Sequence, residues 1–352
     1  MKRLLTLLVI LAMALSACGD GSEDTTADDD ASSAAAVDSE PLTDTGGTLV
    51  IYSGRSEDLV APVIERFTAE TGIEVSVRYD DSTQLATTLL QEGETSEADV
   101  FFAQDPASLG AASPLLAELD EATLERVPER FSADDGTWVG TSGRARVLIY
   151  DTETVSEDEL PNNLEEIVDP RWSGRIAVAP TNGSFLAFVA AMIVSEGEDY
   201  TLDWLERLAA LDPIDFPGNS PIVAATDAGE VGIGLVNHYY VYRLRAEGAG
   251  ERAANHITSG GDASSLVMPA GAGILASTDQ PDQARQFVEF LLSDESQEYF
   301  ATETFEYPLV PGIDPVEGLQ PLDSIRTPDI DLSDLSDQLE RATDLVTEAG
   351  LL

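Results

Sequence analysis

The feature that most constrains this chain is a repeated alternation of short apolar runs with segments of helical period. "TLVIYS" (48–53) reads as a buried strand, and the segment after it places Val60, Val63, Ile64 and Phe67 three and four residues apart. Ser56 stands at the N-cap position of that helix, Glu57 and Asp58 fall in its first turn, and Gly72 ends it. "IEVSVRY" (73–79) is the next strand. A helix carrying Leu85, Leu89 and Leu90 follows and ends near Gly93. "ADVFFA" (98–103) is almost continuously apolar, as in a strand covered on both faces. Beyond an irregular middle the alternation resumes, with strands at 146–150, 174–179, 231–236 and 271–276. Helices are predicted over 185–196, 200–211, 220–229, 281–293 and 294–301. A last amphipathic helix over 333–349 presents Leu335, Leu339, Ala342 and Val346 on one side. This alternation predicts an α/β protein.

The first 47 residues do not follow the pattern. Lys2 and Arg3 precede an apolar run from Leu4 to Leu15, and Ser16 and Ala17 are small residues directly before Cys18, the only cysteine. Residues 1–17 read as an export signal, too short for a comfortable membrane span. "LSAC" resembles the bacterial lipoprotein signal, which implies lipidation of Cys18. Residues 18–47 lack aromatic and basic side chains and are rich in acidic and small ones. Such a segment buries too little apolar surface to offset its ordering entropy, so it reads as a flexible acidic stalk. About 300 residues remain, enough for two lobes with their own cores. The net charge of −48 argues against nucleic acid and anionic lipid surfaces as partners. Lysine occurs only at position 2, so every later basic residue is arginine.

Few routes to catalysis are open. No cysteine follows Cys18, the histidines are His238 and His256, and no G-x-S-x-G elbow, P-loop or dinucleotide fingerprint is present. Zinc and copper favour imidazole or thiolate, and no D-x-[DN]-x-[DN]-G calcium loop occurs. What remains is "LVNHYYVYR" (235–243), at the carboxyl end of a predicted strand, where ligands gather in open α/β sheets. In an extended chain Tyr239 and Tyr240 would face opposite ways; at a helix start they project about 100° apart and can converge on one object. A phenol titrates near pH ~10, so only a strongly acidic cation, ferric iron above all, makes two phenolates favourable at neutral pH. Taken alone, the pair is better accounted for as packing residues of a helix start, like Tyr242 beside it.

The surrounding text changes that balance. "LVIYSGRSEDLVAPVIERFTAETGIEV", "ADVFFAQDPASLG", "SGRARVLIYDTETV", "DPRWSGRIAVAPTNGSFLAFVAAM", "GNSPIVAATDAGEVGIGLVNHYYVYRL" and "EYPLVPG" occur in that order. From about residue 48 to its end the chain resembles the ferric-iron-binding periplasmic proteins that feed iron ABC transporters. The resemblance implies a two-lobed type II periplasmic-binding-protein fold, each lobe a mixed sheet flanked by helices, joined by hinge strands. Residues 48–148 with 270–320 would form the N-terminal lobe and 149–269 with 321–352 the C-terminal one. Tyr239 and Tyr240 would be ligands to Fe³⁺, with a carbonate or phosphate synergistic anion at Asn182, Gly183, Ser184, Asn219 and Asn237. "PTNGSF" opens a predicted helix, whose free N–H groups suit an anion, and the fork of Arg55 could face the same anion from the opposite lobe.

The sequence also departs from its relatives. Ser56 and Gln104 stand where some members have a histidine and a glutamate ligand, and "PTNGSF" has no tyrosine where others do. Ser53, Ser56, Gln104 and Asp105 are therefore expected only to line the cleft. The implied role is capture rather than catalysis: an extracytoplasmic, lipid-anchored monomer delivering iron to an ABC permease. The alternative keeps the fold and changes the cargo to a polyamine, sulfate or phosphonate, or a sugar.

Overall fold

The computed structural model describes residues 47–352; the predicted signal, Cys18 and nearly all of the stalk lie outside the described residues. The strands are β1 (Leu49–Ser53), β2 (Val75–Tyr79), β3 (Val100–Ala103), β4 (Val139–Asp151), β5 (Ile176–Val178), β6 (Ile214–Asp215), β7 (Ile233–Asn237), β8 (Ala253–His256), β9 (Val267–Ile274) and β10 (Tyr307–Pro308). Their order is β2-β1-β3-β9-β4-β7-β5-β6, with β8 and β10 also paired to β4. Pairs β1–β2, β1–β3, β5–β6 and β5–β7 are parallel; every pair made by β4 or β9 is antiparallel. Two parallel wings, each mixed through its antiparallel neighbours, thus meet on one long strand. The first half of β4 pairs with β9 (Ala145 opposite Val267) and the second half with β7 (Arg146 opposite Asn237).

The strand expected at 146–150 is only the second half of β4. The first half was unreadable because "VGTSGRAR" is small, polar and charged, yet all thirteen residues of the strand are buried. Its small side chains have a purpose. A Cβ on Gly140 would lie 2.7 Å from the Phe131 carbonyl oxygen, and one on Gly271 of β9 2.7 Å from the Val139 carbonyl oxygen. Such approaches exclude any larger residue, so glycine lets the two long strands run this close to their neighbours.

The predicted amphipathic stripe packs as expected. Helix Glu57–Thr71 buries Val60, Val63, Ile64 and Phe67, and Gly72 ends it at φ 75°. Phe67 meets Phe287 and Phe290 of helix Pro281–Leu291 edge-on, with ring centroids 5.1 and 5.4 Å apart. Each such pair contributes about 0.5–1.5 kcal/mol beyond its area. Ser56 occupies the N-cap position but its side chain makes no capping hydrogen bond. On the other wing, helix Gly183–Glu196 is apolar almost all round, and Phe188 packs edge-on against Trp204 at 5.7 Å. An all-apolar helix needs cover on several sides. Helix Leu335–Glu348 supplies one of them, and it also packs on helices Pro106–Ala112 and Glu198–Ala210. No helix among the described residues is long and apolar enough to cross a membrane.

Where β4 ends, Asp151 is buried and accepts two bonds from Arg252, Nε at 2.5 Å and Nη2 at 2.7 Å. The Arg252 hydrogen bonds, aided by Thr154, hold its pKa down to about 2. Because the folded value lies below the ordinary one, this stability is present above pH ~4 and lost as pH falls toward ~2. Asp151→Asn is expected to cost about 2 kcal/mol at pH 7, read by chemical denaturation, with the gap from wild type closing as the pH is lowered through that window.

Candidate functional site

The parallel strands of both wings deliver their carboxyl ends to one region, and the helices that follow are capped there by short polar side chains. Asp81 accepts from Thr83 N (2.9 Å) at the start of helix Ser82–Glu92. Asp105 accepts from Ser108 N (2.8 Å) before helix Pro106–Ala112, and Asn182 from Ser184 N (3.1 Å) before helix Gly183–Glu196. All three caps border one cavity of about 390 Å³. Arg144 also lines it, as do Gln104, Gly183, Leu186, Met268 and, from the C-terminal helix, Leu339, Glu340 and Thr343. Two of these helix N-termini are already met by carboxylates, whereas that of helix Gly183–Glu196 is capped by the neutral Asn182 and stays open to an anion.

Next to this cavity, β7 runs straight into helix Tyr239–Ala246. Tyr239 and Tyr240 therefore leave the first turn together, and their rings stack with centroids 4.3 Å apart and planes 28° from parallel. Tyr239 is 5 % exposed and Tyr240 half-buried. Burial, with Tyr240 and Glu306 nearby, pushes the Tyr239 phenol above its ordinary pKa, while Arg144 pulls the other way. Neither tyrosine borders the 390 Å³ cavity itself. His238, just before them, is fully buried: its Nδ1 accepts from Ala145 N (3.0 Å), and its Nε2 lies 2.8 Å from the Phe305 carbonyl oxygen, which it serves as donor. Burial pulls its pKa down to about 4, so it is a neutral structural residue.

The centre of the arrangement is a residue absent from the sequence reading. Arg146 is 1 % exposed and forms no ion pair with any described carboxylate. Its Nη1 donates to Ser184 Oγ (3.2 Å) and, at the limit, to Asn237 Oδ1 (3.5 Å); its Nη2 donates to the Leu235 carbonyl oxygen (3.1 Å). Its Nε has no partner. Burial pulls the guanidinium down to about 9, against the opposing pull of Tyr240 and Tyr239. Asn219 Nδ2 donates to Ser184 Oγ (3.1 Å) and Asn182 Oδ1 (3.2 Å), and Ser184 Oγ donates to Asn182 Oδ1 (2.6 Å). Asn182, Ser184, Asn219 and Asn237 are thus gathered around Arg146, and Gly183 faces open space. Two residues upstream, Arg144 is equally buried, donates to the Gln104 carbonyl oxygen, and leaves its own Nε unpaired.

Arg55 is placed differently from expectation. Its two terminal nitrogens are taken by Glu306, at 2.9 and 2.6 Å, in a pair that is almost fully buried. Burial alone would push the Glu306 carboxyl up. The charge and hydrogen bonds of Arg55, the Arg144 charge and a donor from Thr304 (3.0 Å) together overcome that and hold the carboxyl below its usual value, and Ser142 also donates to it at 3.2 Å. Ser53 braces its own loop, its Oγ accepting from Arg55 N at 3.2 Å, and Ser56 is exposed; neither borders the cavity, whereas Gln104 and Asp105 do. Arg144, Arg146 and Glu306 escaped sequence reasoning. One signal was available: two arginines at i and i+2 in a strand share a face, and two charges on one face of a buried strand call for a partner or a ligand. Among the described residues no group of three or more His, Cys, Asp or Glu side chains could hold a metal. The phenol oxygens of Tyr239 and Tyr240 are the hard donors the chain itself places here.

Comparison with known proteins bears on this geometry. Residues 95–323 match the family described as "Bacterial extracellular solute-binding protein". The chain is 33 % identical over 310 residues to the "Fe(3+)-binding periplasmic protein" of Serratia marcescens, covering 86 % of this chain and 90 % of that one. It is 32 % identical to the "Major ferric iron-binding protein" of Neisseria meningitidis, covering 86 % and 93 %. Iron-bound HitA from Pseudomonas aeruginosa superposes with a TM-score of 0.79 at 34 % identity, over 86 % of this chain and 99 % of that one. The architecture is accordingly the α/β type II periplasmic-binding-protein fold.

The buried Arg55–Glu306 pair makes a direct prediction. Glu306→Gln leaves a guanidinium uncompensated in the interior and should destabilise the protein by about 3–5 kcal/mol. The double change Arg55→Met with Glu306→Leu should recover most of that loss in equilibrium denaturation, because it removes both charges.

Proposed function

This chain belongs to the bacterial extracellular solute-binding proteins, among the ferric-iron-binding members, and on that premise we propose that it captures Fe³⁺ between two lobes and passes it to an ABC permease. The observation that carries the reading is the stacked phenol pair at a helix N-terminus, beside buried guanidinium groups that have no ion-pair partner. Ferric iron displaces the protons of Tyr239 and Tyr240 and takes their oxygens as hard, anionic ligands. A carbonate or phosphate completes the coordination. It is held by the N-terminus of helix Gly183–Glu196 and by Asn182, Gly183, Ser184, Asn219 and Asn237. Arg146 and Arg144 take the role first given to Arg55, since the Arg55 fork is occupied by Glu306.

Charge supports this assignment. A ferric ion and two phenolates leave one positive charge, to which Arg146 and Arg144 add two more, and a bound anion offsets most of this in a buried place. The buried guanidinium groups of Arg144 and Arg146 weigh against a polyamine at the asparagine network itself. Residues 48–148 with 270–320 and residues 149–269 with 321–352 act as the closing lobes, with β4 and β9 as hinge strands. Cys18 tethers the chain to the outer face of the membrane, and a single cleft suffices for a monomer to work.

The test is colour. Full-length protein purified with ferric citrate should absorb visible light through ferric phenolate, and Tyr239→Phe or Tyr240→Phe should bleach it and weaken binding more than about 100-fold, beyond typical outer-shell effects. A colourless wild type, or colour that survives both substitutions, overturns the reading. Since the Tyr239 phenol holds its proton more tightly than a free phenol, the affinity falls as pH falls. With two protons released, the slope should approach about two decades per pH unit, measured against a competing chelator at fixed free iron.

A further inference from the structure

The histidine directly before the phenols takes no part in the capture chemistry, yet both of its ring nitrogens are committed to the backbone of other segments. His238 is where β7 gives way to helix Tyr239–Ala246, its own backbone already helical at φ −60° and ψ −36°. It lies one step beyond the Arg146–Asn237 pair, and its N–H donates to the Ala145 carbonyl oxygen at 3.0 Å. In a continuing antiparallel strand the His238 carbonyl would accept from Ala145 N in return. That carbonyl has instead turned to Asn255 Nδ2 (2.7 Å), and the imidazole Nδ1 accepts from Ala145 N in its place, at 3.0 Å. The ring completes the ladder while the main chain turns away, so β7 ends here and both tyrosines fall in the first helical turn.

The other ring nitrogen reaches a distant segment. Because Nδ1 is an acceptor, Nε2 carries the ring hydrogen and donates it to the Phe305 carbonyl oxygen at 2.8 Å. Phe305 stands at φ 60°, a left-handed conformation that a bulky residue keeps only where its surroundings impose it. The start of helix Tyr239–Ala246 holds Phe305 twice, through His238 and, one turn on, through Tyr242, whose ring stacks on that of Phe305 at 6.1 Å. The next residue is Glu306, the partner of Arg55. The imidazole also meets Tyr239 edge-on at 5.8 Å and Tyr307 at 4.8 Å, so Tyr239 is confined between His238 and the stacked ring of Tyr240. We propose that His238 is the positioning residue of the phenol pair: through Ala145 and Phe305 it fixes where the first helical turn begins, and so where both phenol oxygens are presented to the metal. The inference rests on the ferric reading above and makes His238 a support, not a ligand.

Two variants of the full-length protein, loaded from ferric citrate, test it. His238→Phe keeps a ring but neither hydrogen bond, whereas His238→Asn keeps an oxygen that can accept from Ala145 N. In competition with a chelator, His238→Phe should lower iron affinity about 10–100-fold, the range for lost outer-shell partners. It should also shift the visible ferric-phenolate band, which a residue serving stability alone would leave in place. His238→Asn should lose less, about tenfold, and shift the band less. If His238→Phe does not fold, His238→Asn decides by itself. Wild-type affinity and an unmoved band in every variant that folds, with only the melting temperature of the iron-free protein lowered, overturn the inference. Failure of His238→Asn to fold overturns it as well, since the residue would then serve the fold alone. A colourless wild type sinks this inference together with the ferric reading, whereas a coloured wild type with unmoved variants sinks this one alone.

Discussion

An arginine with no ion-pair partner sits at the centre of this protein, and much of the architecture follows from holding it there. Burying a guanidinium without a carboxylate is costly unless its donors find acceptors. Arg146 meets that demand with the Leu235 carbonyl oxygen, Ser184 and, weakly, Asn237, and its Nε is left without a partner. The register of β4 against β7 sets Arg146 directly opposite Asn237, two residues before Tyr239. A slip of one residue would turn the guanidinium to the other face of the sheet and separate it from the asparagines. The pairing that joins the second wing to β4 therefore also determines which side chains surround Arg146.

The wing that carries β1 is braced by more than its strand pairing. Arg55 follows β1, whereas Glu306 immediately precedes β10, and their forked ion pair ties two segments 251 residues apart. Ser142 of β4 donates to the same carboxylate, so three parts of the chain meet on one buried negative charge. Such a junction resists bending at its centre.

The sequence predicted the helices and parallel strands well, because each carries its own period: Val60, Val63, Ile64 and Phe67 for one helix, "VFFA" for a doubly covered strand. It also led to the tyrosine pair and to four residues of the asparagine–serine network, through resemblance and helix-start chemistry. It did not reveal the first half of β4, whose glycines, serine and arginines look like a loop until β9 is laid against them. Nor did it reveal Glu306, since no local pattern marks which of 66 acidic residues are buried. Arg55 was mistaken for a ligand residue for the same reason. Its partner is distant in sequence, and a free fork and an occupied one are written alike.

The contrast between surface and interior explains how one protein handles a cation and an anion together. The chain carries a net charge of −48, yet the charges that crowd the tyrosines are Arg55, Arg144 and Arg146 against Glu306. At physiological ionic strength the acidic surface acts over about 8 Å, so it enriches cations near the protein and repels anions without reaching far. An anion is then retained only by short contacts inside the cavity, from oriented N–H groups and guanidinium forks that water does not screen. On the proposed reading, iron entering the same place would find phenols whose burial resists ionisation, and an anion that compensates the metal's charge. Each ligand would then lower the electrostatic cost of the other, and coupling of that kind needs no conformational signal to be mutual.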